Sequence, residues 1–417
     1  MLDTKLIHKE INLVIEKLKT RHVKPELLQN LSVIIQNRNH LLTQLAHQNA
    51  QKNLISKQLG SATNRDDLLK QAALIKLEIR HLEQQLKNYQ DDLDRLLPTL
   101  PNLPLDGIPE GTDETGNVIV SKYEQLGRGL VENVVPHYEI ATSKKLADFA
   151  RAAKISGSRF VFYQHQGAKL VRALVNFMLD LHTANGYVEM VPPLLVNSQT
   201  MYGTGQLPKF ADDLFQIQAE DLWLIPTAEV PLTNYYQNEI LDLTKPIKLT
   251  AYTPCFRSEA GAAGRDTKGL IRSRQFHKVE LVKITTASQA LSEFENCVAD
   301  AERVLQLLEI PYQKVFLCTG DLGFSARITY DLELWLPSER RFREVSSISY
   351  FGDFQARRAK IRYRDEQGKT TYAHTINGSG LAIDRIVAAL LELYQNSDGT
   401  IDIPKVLLPF WPGDQSF

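Results

Sequence analysis

From Leu68 to Leu96 the apolar residues recur at alternating spacings of four and three: Leu68, Ala72, Ile75, Ile79, Leu82, Leu86, Tyr89, Leu93 and Leu96. A helix carrying such a stripe can bury it only against a second helix lying alongside. Upstream, Leu31, Ile34, Leu41, Leu45, Ile55 and Leu59 keep the same rhythm, interrupted at Arg38, Gln48 and Lys52. Between the two runs, Gly60 supplies a helix stop and the polar residues up to Asp67 supply a helix start. The pattern predicts an antiparallel two-helix hairpin over about 26–97. It has one seam to bury, so it should project as an arm.

The first arm helix carries Arg38, Lys52 and Lys57, with Glu26 as its only acid. That imbalance suits a phosphate backbone. The second helix is nearly balanced in charge, so these residues alone favour an arm that binds protein or nothing. Pro98, Pro101, Pro104 and Pro109 cannot continue a helix and read as a linker. The division expected is a helical domain at 1–105 and a second domain at 106–417. There, short strands with glycine and proline turns are joined by amphipathic helices over 169–184 and 287–308. The fold class is α+β, with a mostly antiparallel sheet.

Lys and Arg total 48 against 49 Asp and Glu, so no overall cationic field draws a polyanion and any nucleic-acid contact must be local. Cys255, Cys297 and Cys318 are too few and too far apart for a disulfide framework or a paired-cysteine zinc site. No zinc is expected, and a reducing cytoplasm fits best. The N-terminus lacks an apolar core of signal-peptide length, and no run approaches a membrane span.

Residues 256–280 read as two strands joined by a glycine-rich loop. Strand alternation puts Arg257 and Glu259 on one face of the first strand, and Phe276, Lys278 and Glu280 on one face of the second. Guanidinium groups for phosphate, a flat ring for a base and a carboxylate for an ammonium group are thereby gathered. A solvated hairpin with cross-strand ion pairs is the competing reading. Residues 371–394 read as a strand, a glycine-flanked turn and a helix, with Ser379 as N-cap and Leu381 on the helix's apolar face. Arg385 in the first turn of that helix points to a bound anion or to a pair with Asp384. A strand pair from Asp331 to Ser347 presents Glu344, Ser346 and Ser347, oxygen groups that suit a hard cation or simple hydrogen bonding. Thr227-Ala228-Glu229 could orient a small polar substrate or cap the next helix.

Together these segments resemble the class II aminoacyl-tRNA synthetases, and specifically the bacterial seryl-tRNA synthetases, over nearly the whole length. Residues 256–280 resemble motif 2, Asn377 to Arg385 resembles motif 3, and 170–196 resembles motif 1, which implies a homodimer. Residues 201–209, 227–229 and 344–358 resemble segments specific to the seryl subgroup, as does the arm. The resemblance implies activation of L-serine with ATP and transfer to tRNA(Ser), with tRNA(Sec) as a possible second acceptor. It also implies that the arm holds the tRNA.

Carried over by position, Arg257 meets the α-phosphate and serine carboxylate, Phe276 stacks on adenine, and Arg272 and Arg385 hold the outer phosphates. Ser258, Glu259, Val345 and Ser346 complete the ATP site, and Glu344 with Ser347 holds Mg2+. Serine is surrounded by Thr227, Ala228, Glu229, Glu280, Asn377 and Ser379. Arg257, Glu344 and Arg385 are the residues expected to carry catalysis. Departures from the family pattern fall at Ile348-Ser349-Tyr350, Arg274 and Asp384. Two rivals remain: a relative that loads a carrier protein, disfavoured by the arm, and a non-catalytic interaction protein.

Overall fold

The computed structural model describes residues 1–59, 65–261, 264, 266 and 268–417, and the chain forms two compact units, Met1–Leu103 and Pro104–Phe417. The turn expected at 60–64 lies outside the described residues, as do 262, 263, 265 and 267 of the glycine-rich loop.

In the first unit, helices Pro25–Leu59 and Arg65–Leu96 run back along one another. Leu31, Ile34, Leu41 and Ile55 are buried on one, with Ile79, Leu82, Leu93 and Leu96 on the other. Asn37 Nδ2 donates to Tyr89 Oη across the pair at 3.1 Å. Arg38 turns toward the short helix Thr4–Lys9, its Nη1 lying 3.4 Å from His8 Nδ1, whereas Lys52 and Lys57 are exposed. The proline segment read as a linker is packed rather than open. Leu97 and Leu100 are fully buried, and Arg21 Nη1 donates to the Asn102 carbonyl at 2.7 Å. Prolines suit such a strap because each removes one N–H that burial would leave unsatisfied.

The second unit is built on eight strands: β1 Val118–Tyr123, β2 Val188–Glu189, β3 Ile247–Phe256, β4 Gln275–Thr285, β5 Tyr312–Phe316, β6 Ile328–Leu336, β7 Arg341–Gly352 and β8 His374–Ala382. Their spatial order is β1-β5-β6-β7-β8-β4-β3-β2, antiparallel except for β2 with β3. Helices His165–Ala184, Ala290–Leu307 and Ile383–Leu393 pack against the sheet. Strand alternation divides the residues cleanly. Val279, Leu281, Ile348, Tyr350 and Ile376 enter the main core, while Lys278, Glu280, Ser347, Ser349 and Asn377 line a cavity. Among the described residues no helix is long and apolar enough to cross a membrane.

Two local expectations are corrected. Ser379 is not an N-cap, because β8 continues to Ala382, which precedes the helix Ile383–Leu393 without a side-chain cap. The glycines mark close packing instead of a turn: a Cβ at Gly378 would lie 2.7 Å from Ile348, and one at Gly380 2.7 Å from His182 Nε2. Leu381 is accordingly a strand residue. Likewise β3 stops at Phe256, so Arg257 and Glu259 lie beyond it and share no strand face. Glu259 has φ of 54°, a left-handed conformation incompatible with continued pairing.

Candidate active site

An open cavity of about 670 Å³ sits on the polar side of the central strands. Cross-strand register assembles its floor. Glu280 of β4 pairs with Ser379 of β8, and Asn377 of β8 pairs with Ser349 of β7. Thr227 joins from the turn before helix Glu229–Asn234.

The floor is closed by short hydrogen bonds. Thr227 Oγ1 donates to Glu280 Oε2 at 2.9 Å and accepts from Lys278 Nζ at 2.9 Å. Lys278 Nζ also pairs with Glu280 Oε2, both side chains being buried. Thr227 and Lys278 thus converge on one oxygen, Oε2, of this buried carboxylate. Glu229 Oε1 accepts from Gln355 Nε2 at 2.6 Å. Its burial, with the Glu280 charge as second cause, pushes the Glu229 carboxyl from 4.5 up to about 7.

The rim is richer in arginine and more open. Arg257 stands with its guanidinium carbon 5.1 Å from the centre of the Phe276 ring, a cation–π contact. Arg272 pairs with Glu259 at 2.8 Å and Asp266 at 3.3 Å. Arg385 Nε donates to the Ile271 carbonyl at 3.2 Å, and its Nη1 donates to the Glu344 carbonyl and lies 3.7 Å from Glu344 Oε1. A bulge at Val345 shifts the register of β7 against β6, so that Glu333 faces Glu344 while Asp331 faces Ser347. Burial, then the neighbouring Glu344, hold the Asp331 carboxyl well above the usual range, and its Oδ1 is buried without a partner.

Thr227, Glu229, Arg257, Glu259, Arg272, Phe276, Glu280, Glu344, Val345, Ser347, Asn377, Ser379 and Arg385 all line this one cavity. Ala228, Ser258 and Ser346 do not. Ala228 is packed in a hydrophobic cluster, Ser258 Oγ donates to the Asp212 carbonyl at 2.8 Å, and Ser346 Oγ donates to the Ser379 carbonyl at 2.6 Å. Sequence reasoning gave Lys278 a face but no role. It also missed Gln355 and Arg343, which pairs with Asp266. Asp384 does not pair with Arg385: it accepts from Tyr163 Oη and from the His277 backbone N–H, each at 2.6 Å. Only the folded chain brings those partners together.

Among the described residues no three or more His, Cys, Asp or Glu side chains are arranged to hold a metal ion by themselves. The oxygens of Glu344 and Ser347, both on the cavity wall, suit a hard cation that takes further ligands from phosphate and water.

Comparison with known proteins agrees along the whole chain. Residues 1–104 match the model of the seryl-tRNA synthetase N-terminal domain, and 213–394 match that of the tRNA synthetase class II core domain (G, H, P, S and T). The serine–tRNA ligase of Mycoplasma mobile is 54% identical over 415 residues, covering 98% of this chain and 99% of that protein. That of Carboxydothermus hydrogenoformans is 47% identical over 424 residues, with 100% of both covered. The crystal structure of the Pyrococcus horikoshii seryl-tRNA synthetase complexed with ATP superposes with a TM-score of 0.90 at 35% identity, covering 100% of this chain and 99% of that one.

Proposed function

The chain belongs to the seryl-tRNA synthetase family, and from that premise we propose that it activates L-serine with ATP and transfers the seryl group to the 3′ end of tRNA(Ser). One observation carries the reading: Arg257, Glu280 and Glu344, remote in sequence, face a single cavity that also holds Phe276 and Arg385.

In the first step a serine carboxylate oxygen attacks the α-phosphorus of ATP, forming seryl-adenylate and releasing pyrophosphate. No side-chain nucleophile is needed. Glu280 accepts from the serine ammonium group, with Glu229 close by, and Thr227, Asn377 and Ser379 complete the pocket around it. Arg257 bridges the serine carboxylate and α-phosphate, and Arg272 and Arg385 hold the outer phosphates. Phe276 offers the ring on which adenine stacks. Positioned cations meet the charge that accumulates around phosphorus, which is electrostatic preorganisation. Glu344 and Ser347 would hold Mg2+, which when bound neutralises phosphate charge. In the second step a terminal ribose hydroxyl of tRNA attacks the adenylate carbonyl and AMP leaves. Alanine is rejected because it leaves buried polar groups unpaired, and threonine because its extra methyl must be housed in a closed floor.

The exposed Lys52 and Lys57 and the scarcity of acid on the first arm helix support tRNA binding by the arm. Apolar residues at Val188, Val191 and Leu195, which are 59%, 93% and 40% exposed, support self-association through the motif 1 region as a homodimer. The cytoplasm is the proposed location.

Amino-acid-dependent ATP–pyrophosphate exchange across a panel of amino acids tests the first step. Serine alone should respond, and a flat panel or another preferred amino acid defeats the reading. Deleting 26–96 should spare exchange and abolish charging of tRNA(Ser), with tRNA(Sec) assayed beside it. Unchanged charging would remove the arm from tRNA recognition.

A further inference from the structure

His137 lies outside every motif described above, yet both of its ring nitrogens and its backbone N–H are engaged in the catalytic unit. It opens the helix His137–Ser143 and is 2% exposed. Its backbone N and its Nδ1 donate to Glu392 Oε1 at 2.9 and 2.7 Å. Ser338 N and Oγ donate to the same carboxylate, each at 2.8 Å. Burial works against ionising Glu392, but the hydrogen bonds from His137 and Ser338 outweigh it and hold the carboxyl below its ordinary range.

With Nδ1 committed as a donor, the neutral ring has only Nε2 left as acceptor. That nitrogen accepts from the Leu270 backbone N–H at 3.1 Å. Leu270 lies on the limb by which the glycine-rich loop returns to β4. The residue before it, Gly269, has φ of +77°, and a Cβ there would lie 2.2 Å from His137 Nε2. Only glycine lets the limb lie flat on the imidazole. Lys268 Nζ completes the grip, 5.8 Å from the centre of the Tyr138 ring.

The limb so held leads directly into the phosphate side of the cavity. Ile271, the next residue, accepts from Arg385 Nε through its carbonyl at 3.2 Å, and Arg272 follows. We infer that His137 is a positioning residue: by fixing residues 269–270 against an immobile ring it sets the places of Arg272 and Arg385 before ATP arrives. The inference rests on the synthetase reading for the identity of the ligand. It does not rest on His137 touching ATP. A buried and fully satisfied polar network is stiff enough to transmit position in this way.

The amide of Asn overlays the Nδ1 side of an imidazole and that of Gln the Nε2 side, so the two variants separate the roles. His137→Asn keeps a donor for Glu392 and removes the acceptor for Leu270, whereas His137→Gln restores that acceptor. ATP dissociation constants by equilibrium titration, and KM for ATP and serine in pyrophosphate exchange, provide the readouts. His137→Asn should weaken ATP about tenfold, leave the serine KM within about twofold, and be largely rescued by His137→Gln. Gly269→Ala, which presses on the ring from the loop side, should give the same ATP-selective defect.

If His137→Asn binds ATP like the parent, or if ATP and serine weaken equally in step with a falling melting temperature, His137 is a core residue and the inference fails. Parent protein that bound no ATP at all would sink the synthetase reading itself, and the inference with it.

Discussion

The two ends of the cavity are built on opposite electrostatic plans. At the floor, Thr227, Glu229, Lys278 and Glu280 are all buried and already joined to one another or to Gln355. At the rim, the side chains of Arg272, Arg385 and Glu344 are 32%, 25% and 50% exposed, and each arginine is lent to a carboxylate or carbonyl. On the proposed reading, the floor is a finished mould for one small ammonium-bearing molecule. On the same reading, the rim is a set of cations whose present partners a triphosphate would displace. Floor substitutions that leave a buried charge unpaired should therefore damage stability and serine recognition together, whereas rim substitutions should damage nucleotide handling while the fold stands.

The sharpest test of the floor is Glu280→Ala, which leaves the Lys278 ammonium buried without its carboxylate. Breaking a buried pair by removing one partner costs about 3–5 kcal/mol. Urea unfolding should show a loss of that order, and serine-dependent exchange should fall by about a thousandfold. A variant of parental stability would mean that Lys278 has an exit to solvent, and the contrast between the two ends would dissolve.

Arg257→Ala is the matching experiment at the rim. Arg257 is exposed, and its guanidinium lies over the ring of the half-buried Phe276. Exchange should fall by about a hundredfold while the unfolding free energy stays within about 0.5 kcal/mol of the parent. Arg257→Lys should rescue little, since a point charge cannot bridge a carboxylate and a phosphate as a planar fork does.

How far this arrangement could be read beforehand follows the range of the interactions. The arm was legible because its seam residues, from Leu68 to Leu96, obey one local period, and each is among the less exposed residues of its turn. The polar face of β4 was legible for the same reason, strand alternation placing Phe276, Lys278 and Glu280 together. The error at Ser379 came from glycine's two uses. Gly378-Ser379-Gly380 reads as a turn in one dimension, and only Ile348 and His182, brought close by the fold, show why small residues were needed in a strand. Glu229 with Gln355, Asp384 with Tyr163, and His137 with Leu270 join residues 126, 221 and 133 positions apart, and no local pattern marks such pairs.

Glu229 gives the floor a pH signature of its own. Its folded carboxyl titrates at about 7 against an ordinary 4.5, so the native chain holds a proton that the unfolded chain has released across that interval. Stability from this group is therefore greatest below 4.5, declines as pH rises toward 7, and is level above it. Glu229→Gln, which can still accept from Gln355, should be more stable than the parent by about 3 kcal/mol above neutrality, the gap closing in acid. Serine binding by the parent should strengthen as pH rises through 7, where ionised Glu229 joins Glu280 in facing the ammonium group, and the variant should lack that step. A pH-independent stability difference would show that Glu229 stays ionised in the fold.

The smallest effect is the most direct test of the idea that rim arginines are on loan. Asp266 pairs with both Arg272 and Arg343 at the rim. If those pairs compete with phosphate, Asp266→Asn removes a competitor and should lower the KM for ATP by about threefold, equivalent to ~0.6 kcal/mol, a size usual for a partly exposed ion pair. The serine KM should not move, because among the described residues the ion pairs of Asp266 are with Arg272, Arg341 and Arg343, none of them in the floor. A higher KM for ATP would instead mean that Asp266 holds Arg272 in its working position, making the rim as preorganised as the floor and leaving burial as the main difference between them.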